Sequence, residues 1–303
     1  RSFVMSEKAK IENCQAISNS SRGRGEGGGV YLANNTKFTL SGSAVIQNCT
    51  ATNSANHGEA YGGGVSADCV KEITLADSAR IVGCTAANGS GLYITGSQQS
   101  GYGKLFANGG SVDGDVVLGD TTDGPCTITG SGGTVFNGKV TVTPGSTIES
   151  GTFNGEVINN GTIKGGTFEA KVTNNGTITG GTFSGTVTNN GTITGGVFNN
   201  TVSGSGTITD GTFSGKPARI TGSGTETDPY QIGTADGLKW FRDKVNDAKT
   251  EEETKICAVL TADIDLNNEP WTPIGNFTEG NQIYYEGTFD GGGYTISGLN
   301  VTG

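Results

Sequence analysis

Between residues 151 and 215 the apolar positions form three interleaved series. Phe153, Phe168, Phe183, Phe198 and Phe213 recur every 15 residues, as do Val157, Val172, Val187 and Val202, and Ile163, Ile178, Ile193 and Ile208. Each is flanked by small or polar residues, so one side chain points in while its neighbours point out, as in a strand. Three inward points per period imply three sides to a coil, and a fixed short period implies one unit stacked on itself. Gly165-Gly166 and Asn175-Gly176 supply corners, because Gly and Asn tolerate positive φ. The pattern predicts an internal stack of Phe rings, and Asn175 and Asn190 are placed to ladder by amide hydrogen bonds.

The N-terminal part has its own period of 35 residues: Phe3, Phe38 and Ile73 align, as do Met5, Leu40 and Leu75, and Ile11, Ile46 and Ile81. The segments KAKIENCQA, SAVIQNCTA and SARIVGCTA match one another, and glycine runs open the next strand at Gly27-Gly28-Gly29-Val30 and Gly62-Gly63-Gly64-Val65. Each unit reads as three short strands plus one polar loop on one edge. The first unit lacks its opening strand, so the chain is expected to begin in mid-coil, as a fragment. Residues 90–150 are less regular but β-branched, with Gly-rich boundaries.

The tail breaks the period. Thr234 reads as an N-cap, and Leu238, Phe241 and Val245 mark one apolar helix face. Ala258, Leu260, Ala262, Ile264 and Leu266 alternate as one strand, and Tyr285–Phe289 and Tyr294–Val301 read as further strands. The expected fold is therefore all-β: a single-stranded parallel β-helix, taken as right-handed, with one α-helix inserted near residues 235–248. The hand of the 15-residue coils stays open. The expected organisation is 1–96 with 35-residue repeats, 97–150 irregular coils, 151–215 with 15-residue repeats, and 216–303 a helix-containing module cut at its C-terminal end.

Only 32% of the 303 residues are hydrophobic and 54 are Gly, thin for a globule but enough for coils with few inward side chains. A formal charge of −10 makes nucleic acid and anionic membrane poor partners, and no apolar run reaches membrane-spanning length. A monomer is the expected state. Of the six cysteines, Cys14, Cys49 and Cys84 lie 35 apart and read as stacked, buried free thiols rather than disulfides. His57 is the sole histidine and no zinc spacing occurs.

Two stretches resemble known families. The GGGV runs followed by NC-type strands resemble the repeats of bacterial surface β-helix proteins, including polymorphic outer-membrane proteins. The tail carries GTETDPYQI (Gly224 to Ile232), Thr234-Ala235-Asp236, LTADIDL (Leu260 to Leu266), WTPIG (Trp271 to Gly275) and GTFDGGGYTISGL (Gly287 to Leu299). These resemble a module of large surface proteins of gut bacteria that leads into GLUG-motif repeats. Some members of that family are immunoglobulin A-cleaving metallopeptidases; this chain has no HExxH, so that activity does not carry over. The resemblance implies an extracellular segment at the bacterial cell surface, adhesin-like, with host glycans or extracellular proteins as partners.

Candidate chemistry is sparse. Asp263 and Asp265, with Asp290, are the residues for Ca²⁺ or for a lyase or glycosidase pair; the plainer reading is a solvated strand face. Trp240, Trp271, Tyr284 and Tyr285 are the residues to stack on sugar rings, against packing of the helix over the solenoid. The Thr-Ile-Thr triplets at 177–179, 192–194 and 207–209 array outward threonines as in ice-binding solenoids, but Lys164 interrupts one rank and Thr is also a good strand former. No cofactor motif is present; the GGG runs are not followed by GxxxxGK[ST]. The expected function is a non-catalytic adhesin or stalk, with a carbohydrate-active enzyme as the alternative and ice binding as a remote one.

Overall fold

The computed structural model describes residues 1–19, 24–55, 59–97, 102–120, 123–213, 220–278 and 281–301. His57 lies outside them. The chain is a parallel β-solenoid, and three inward columns run through it. One passes from Val30 through Val65, Leu92, Val116 and Val140 to Val157, Val172, Val187 and Val202, each in register with the next in a nine-stranded parallel sheet. A second passes from Phe3 and Phe38 through Ile73, Leu105, Ile128 and Ile148 into the Ile163 series. The third passes from Ile11, Ile46, Ile81 and Val112 to Phe136, where it becomes the Phe stack. The second and third columns belong to one 18-stranded sheet, and Thr192–Phe198 and Thr207–Phe213 each run unbroken through both. The 35-residue and 15-residue tracts are thus one solenoid with shared columns.

What changes along the rod is the length of each turn. From Val30 the successive column positions give coils of 35, 27, 24, 24, 17 and then 15 residues. The strands that carry the columns persist, while the excursion between the third and first columns shrinks from Asn48–Gly64 in a wide coil to Ser184–Thr186 in a narrow one. In the wide coils this excursion is not a plain polar loop. It forms two further parallel ladders, Gln15–Ser18 on Thr50–Asn53 and Arg24–Glu26 on Glu59–Tyr61, which stand off the solenoid as a fin. The Gly runs sit at its root. A Cβ on Gly29 would lie 2.6 Å from Ile46 Cγ2 and 3.3 Å from Cys49 Sγ, so the GGGV and NC parts of the repeat require each other by direct packing.

In the narrow coils the rings of Phe153, Phe168, Phe183 and Phe198 are fully buried. Their centroids lie 4.7–4.8 Å apart with planes inclined by 7°, the strand spacing of a sheet with little twist. Gly166 and Gly181 turn the corner at φ 105° and 106°, where an L side chain is strained, whereas Asn175 and Gly176, expected to do the same, do not adopt positive φ. Amides ladder twice. Asn160, Asn175 and Asn190 do so at the surface, at 2.9 and 3.0 Å. Asn159, Asn174 and Asn189, unanticipated from the pattern, do so in the interior at 2.7 Å.

A second core begins at Ile220 and is joined to the first by Phe213. Tyr230–Ile232 pairs with Ala258–Leu260, which pairs with Phe289–Asp290, so parallel coiling continues. The helix Ala235–Asn246 is inserted between the first two; Thr234 Oγ1 accepts from Gly237 N at 3.1 Å, and Leu238, Phe241 and Val245 are buried beneath it. The strand expected over 258–266 divides into Ala258–Leu260 and Ile264–Asp265. The chain turns between them, and Asp263 Oδ1 there accepts from Thr295 N at 2.8 Å. The strand expected at Tyr285–Phe289 is displaced to Phe289–Asp290, sharing one residue with the expectation, and that expected at Tyr294–Val301 shortens to Ile296–Ser297. No helix among the described residues is long and apolar enough to cross a membrane.

Candidate functional site

The chemically richest surface lies between the fin and the first sheet of the wide coils. Strand alternation directs Tyr31, Ser66 and Tyr93 to one side, and the register Val65↔Val30 and Val65↔Leu92 lines them up across three coils. The fin brings Tyr61 against Tyr93, with centroids 4.5 Å apart and planes at 56°. The Arg24 guanidinium lies over the Tyr61 ring at 5.1 Å, with Glu26 and Glu59 each 3.9 Å from its nitrogens. Tyr61 donates to Glu59, and the Tyr93 hydroxyl donates to Asp120 Oδ2 at 3.0 Å.

Carboxylates gather on the far side. Asp68 Oδ1 accepts from Thr95 Oγ1 at 3.2 Å, and the same hydroxyl accepts from Cys69 N at 3.0 Å. One ligand atom each from Asp68, Cys69 and Asp123 lies within 4.8 Å of the others, all half-buried. It is the one such group of metal-ligating side chains among the described residues, so these three are the residues that would hold a cation. The charges act on one another. Burial, then Asp68 and Asp120, raises the Asp123 carboxyl, and burial with Asp68 pushes the Cys69 thiol up to about 11. Burial, with Glu26 and Asp68 beside it, pushes the Tyr31 phenol up to about 12, and burial with Glu59 does the same for Tyr61. Burial and Asp120 raise Tyr93 as well. Tyr61 and Tyr93 are buried in this cluster, so what the surface can offer a polyhydroxylated ligand by stacking and hydrogen bonds is the Tyr31 ring with the exposed Arg24 and Glu59 side chains.

The residues singled out in the sequence lie elsewhere. Asp263, Asp265 and Asp290 are exposed, and each carboxylate accepts from a backbone N–H, of Thr295, Asn267 and Gly292 respectively. Their oxygens do not form a common ligand group. Trp240 is 7% exposed and meets Tyr230 edge-on, and Trp271 is 8% exposed beneath Arg242. The Tyr285 hydroxyl donates to the Ile256 carbonyl, whereas Tyr284 is 61% exposed, so the four aromatics share no open platform. Thr162, Thr177, Thr192 and Thr207 do stack in one rank, and Lys164 pairs with Glu149 of the preceding coil at 3.5 Å. No family model, no curated protein and no solved structure matches the chain.

The tyrosine face escaped the periodicity argument because Tyr31, Tyr61 and Tyr93 are not 35 residues apart. The usable signal was the pair Val30-Tyr31-Leu32 and Leu92-Tyr93-Ile94, an outward Tyr between two inward aliphatics on strands that turn out to be two coils apart.

The raised phenols also set an alkaline limit. A tyrosine titrates near about 10 in the unfolded chain, so Tyr31 and Tyr61 hold more protons folded than unfolded between about 10 and about 12. Their stabilisation is complete below that window and is lost as pH rises through it. Thermal melts across alkaline pH are expected to fall from the lower edge of the window, and less steeply for Tyr61→Phe; an unchanged slope in that variant contradicts the assignment.

Proposed function

We propose that this chain is a non-catalytic, extracellular segment of a larger bacterial surface protein, a stalk whose wide coils carry an adhesive face for host glycan. The observation that supports the reading is the convergence of Tyr31, Tyr61, Tyr93 and Arg24 with carboxylates on one side of the fin. Tyr31, 46% exposed, is the residue with ring surface to offer. The narrow coils, with fully buried columns and short corners, serve as spacer. Glycan-array binding by the chain is expected to fall by about tenfold in Tyr31→Ala, the loss of one aromatic contact of about 1.4 kcal/mol. If neither a glycan array nor a host-protein pull-down gives a hit, only the spacer role survives.

A second reading, a carbohydrate-active enzyme, is favoured by one observation: Asp68 and Asp123 converge, and Asp123 is raised, the property a general acid needs. New reducing ends or unsaturated products from a polysaccharide panel, abolished by Asp123→Asn, would establish it.

A further inference from the structure

Seven asparagines precede a glycine: Asn88, Asn108, Asn137, Asn154, Asn160, Asn175 and Asn190. In such a pair the glycine nitrogen can attack the side-chain amide before it, because glycine carries no side chain to hinder the approach and lets the backbone bend. In a folded chain the attack also needs a glycine N–H that is not already engaged. Five of the seven are engaged. Gly109 donates to Thr134 Oγ1 and Gly161 to Asn159 Oδ1, both at 3.2 Å. Gly155 donates to the Phe136 carbonyl at 3.3 Å, and Gly176 and Gly191 donate to the carbonyls of Asn159 and Asn174 at 3.0 Å. Among the described residues, the N–H groups of Gly89 and Gly138 donate to no acceptor.

Those two differ in access. Gly89 is buried and Asn88 half-buried, with Asn88 Nδ2 donating to the Ala60 carbonyl at 3.4 Å. Asn137 is exposed and Gly138 half-buried, so water and base reach that pair. At the same corner of narrower coils, Gly155 and Gly185 share the carbonyl that binds the residue before them, Phe136 and Phe168 respectively; behind Asn137 the Val112 carbonyl takes the Asn137 N–H alone. Position 138 also has to be glycine, because a Cβ there would lie 2.3 Å from the carbonyl carbon and oxygen of Gly114. The Asn137 amide is held in place. Its Oδ1 accepts from Asn154 Nδ2 at 2.9 Å, and its Nδ2 donates to Asp113 Oδ1 at 2.6 Å. A donor on Oδ1 stabilises the negative charge that gathers there when Cγ is attacked.

We propose that Asn137 is a site of spontaneous deamidation by water, the Asn-Gly pair that the folded rod leaves reactive. The Gly138 N–H gives its proton to base, and the nitrogen bonds to Asn137 Cγ. The Cγ–Nδ2 bond breaks, and the amide nitrogen takes up a proton and leaves as ammonia. One water then opens the five-membered imide. Addition at Cγ gives aspartate at position 137, and addition at the backbone carbonyl carbon gives isoaspartate. One water is consumed, one ammonia is released, and nothing is oxidised or reduced. Either product loosens the corner. A carboxylate at position 137 faces the Asp113 carboxylate where a hydrogen bond stood, and like charges repel. Isoaspartate adds one methylene to the backbone between the strands Val135–Phe136 and Val140–Val142.

The test is incubation of the chain at mildly alkaline pH, folded and in urea, followed by peptide mapping by mass spectrometry. In the folded chain Asn137 is expected to convert first, about tenfold faster than Asn160, Asn175 or Asn190, the factor supplied by one hydrogen bond of about 1.4 kcal/mol on the attacking N–H. In urea the seven pairs are expected to convert at similar rates. Asn137→Asp, which carries one of the two products from the start, is expected to melt at a lower temperature than the unmodified chain. Conversion led by another pair in the folded chain, the same ranking of rates in urea, no conversion at Asn137, or an unchanged melt of Asn137→Asp overturns the proposal.

Discussion

Phe183→Ala lowers the free energy of unfolding by about 3–5 kcal/mol, the range for deleting a buried aromatic and leaving a cavity that cannot collapse. The ring is 0% exposed and sandwiched between Phe168 and Phe198, both 4.7 Å away. Its neighbours are tied to their own strands by the register Phe168↔Phe183↔Phe198 and cannot close the gap without breaking ladders on two sides. Phe3→Ala serves as the control. Phe3 is 38% exposed and stacks on Phe38 alone, at 5.2 Å, so its loss is expected to be less than half as large. Denaturant unfolding followed by circular dichroism measures both, and equal losses would show that a ring sandwiched in the third column contributes no more than a half-exposed ring at the edge of the second.

Asn174→Val costs about 3 kcal/mol, although it places an apolar side chain in an interior position. Asn174 donates to Asn189 Oδ1 and accepts from Asn159 Nδ2, both at 2.7 Å, and all three amides are buried. Removing the middle member leaves Asn189 Oδ1 without that donor, and an orphaned buried polar group costs about 1–3 kcal/mol. The same position one coil before the ladder begins is Val142, in register with Asn159 and fully buried. Converting Asn159, Asn174 and Asn189 together to Val extends that column and leaves no side-chain amide half-satisfied, at the cost of the bond from Gly161 N–H to Asn159 Oδ1. The triple variant is therefore expected to be more stable than the single one. Additive losses in the same unfolding assay would show that the ladder is three independent hydrogen bonds rather than one network.

The candidate chemistry was far less legible than the scaffold. An alternating segment such as Ala258–Leu266 correctly buries Ile264 and Leu266 and exposes Asp265, because alternation is local. Whether Asp263, Asp265 and Asp290 converge depends on which strands pair, and Asp290 lies opposite Val259 while Asp265 lies opposite Ser297. The aromatics failed for a related reason. Trp240 and Trp271 carry the composition of a sugar platform, but Tyr230 and Arg242, distant from them in sequence or on another element, cover them.

The chain by itself determined the cross-section of the rod. The three columns, their burial, the corner glycines and the Phe stack all follow from side-chain alternation and a short period, which are properties of a few neighbouring residues repeated. The tertiary structure alone decided what lies between the repeats. That includes the union of the 35-residue and 15-residue tracts through Ile81, Val112 and Phe136, the fin built from what read as loops, and the meeting of Tyr31, Tyr61 and Tyr93 with Arg24 and Asp120. The physical reason is that coil length changes from turn to turn. Where the length is constant, a residue's neighbour in space can be counted along the sequence; where it falls from 35 to 27 to 24, only hydrogen-bond register says which residues meet.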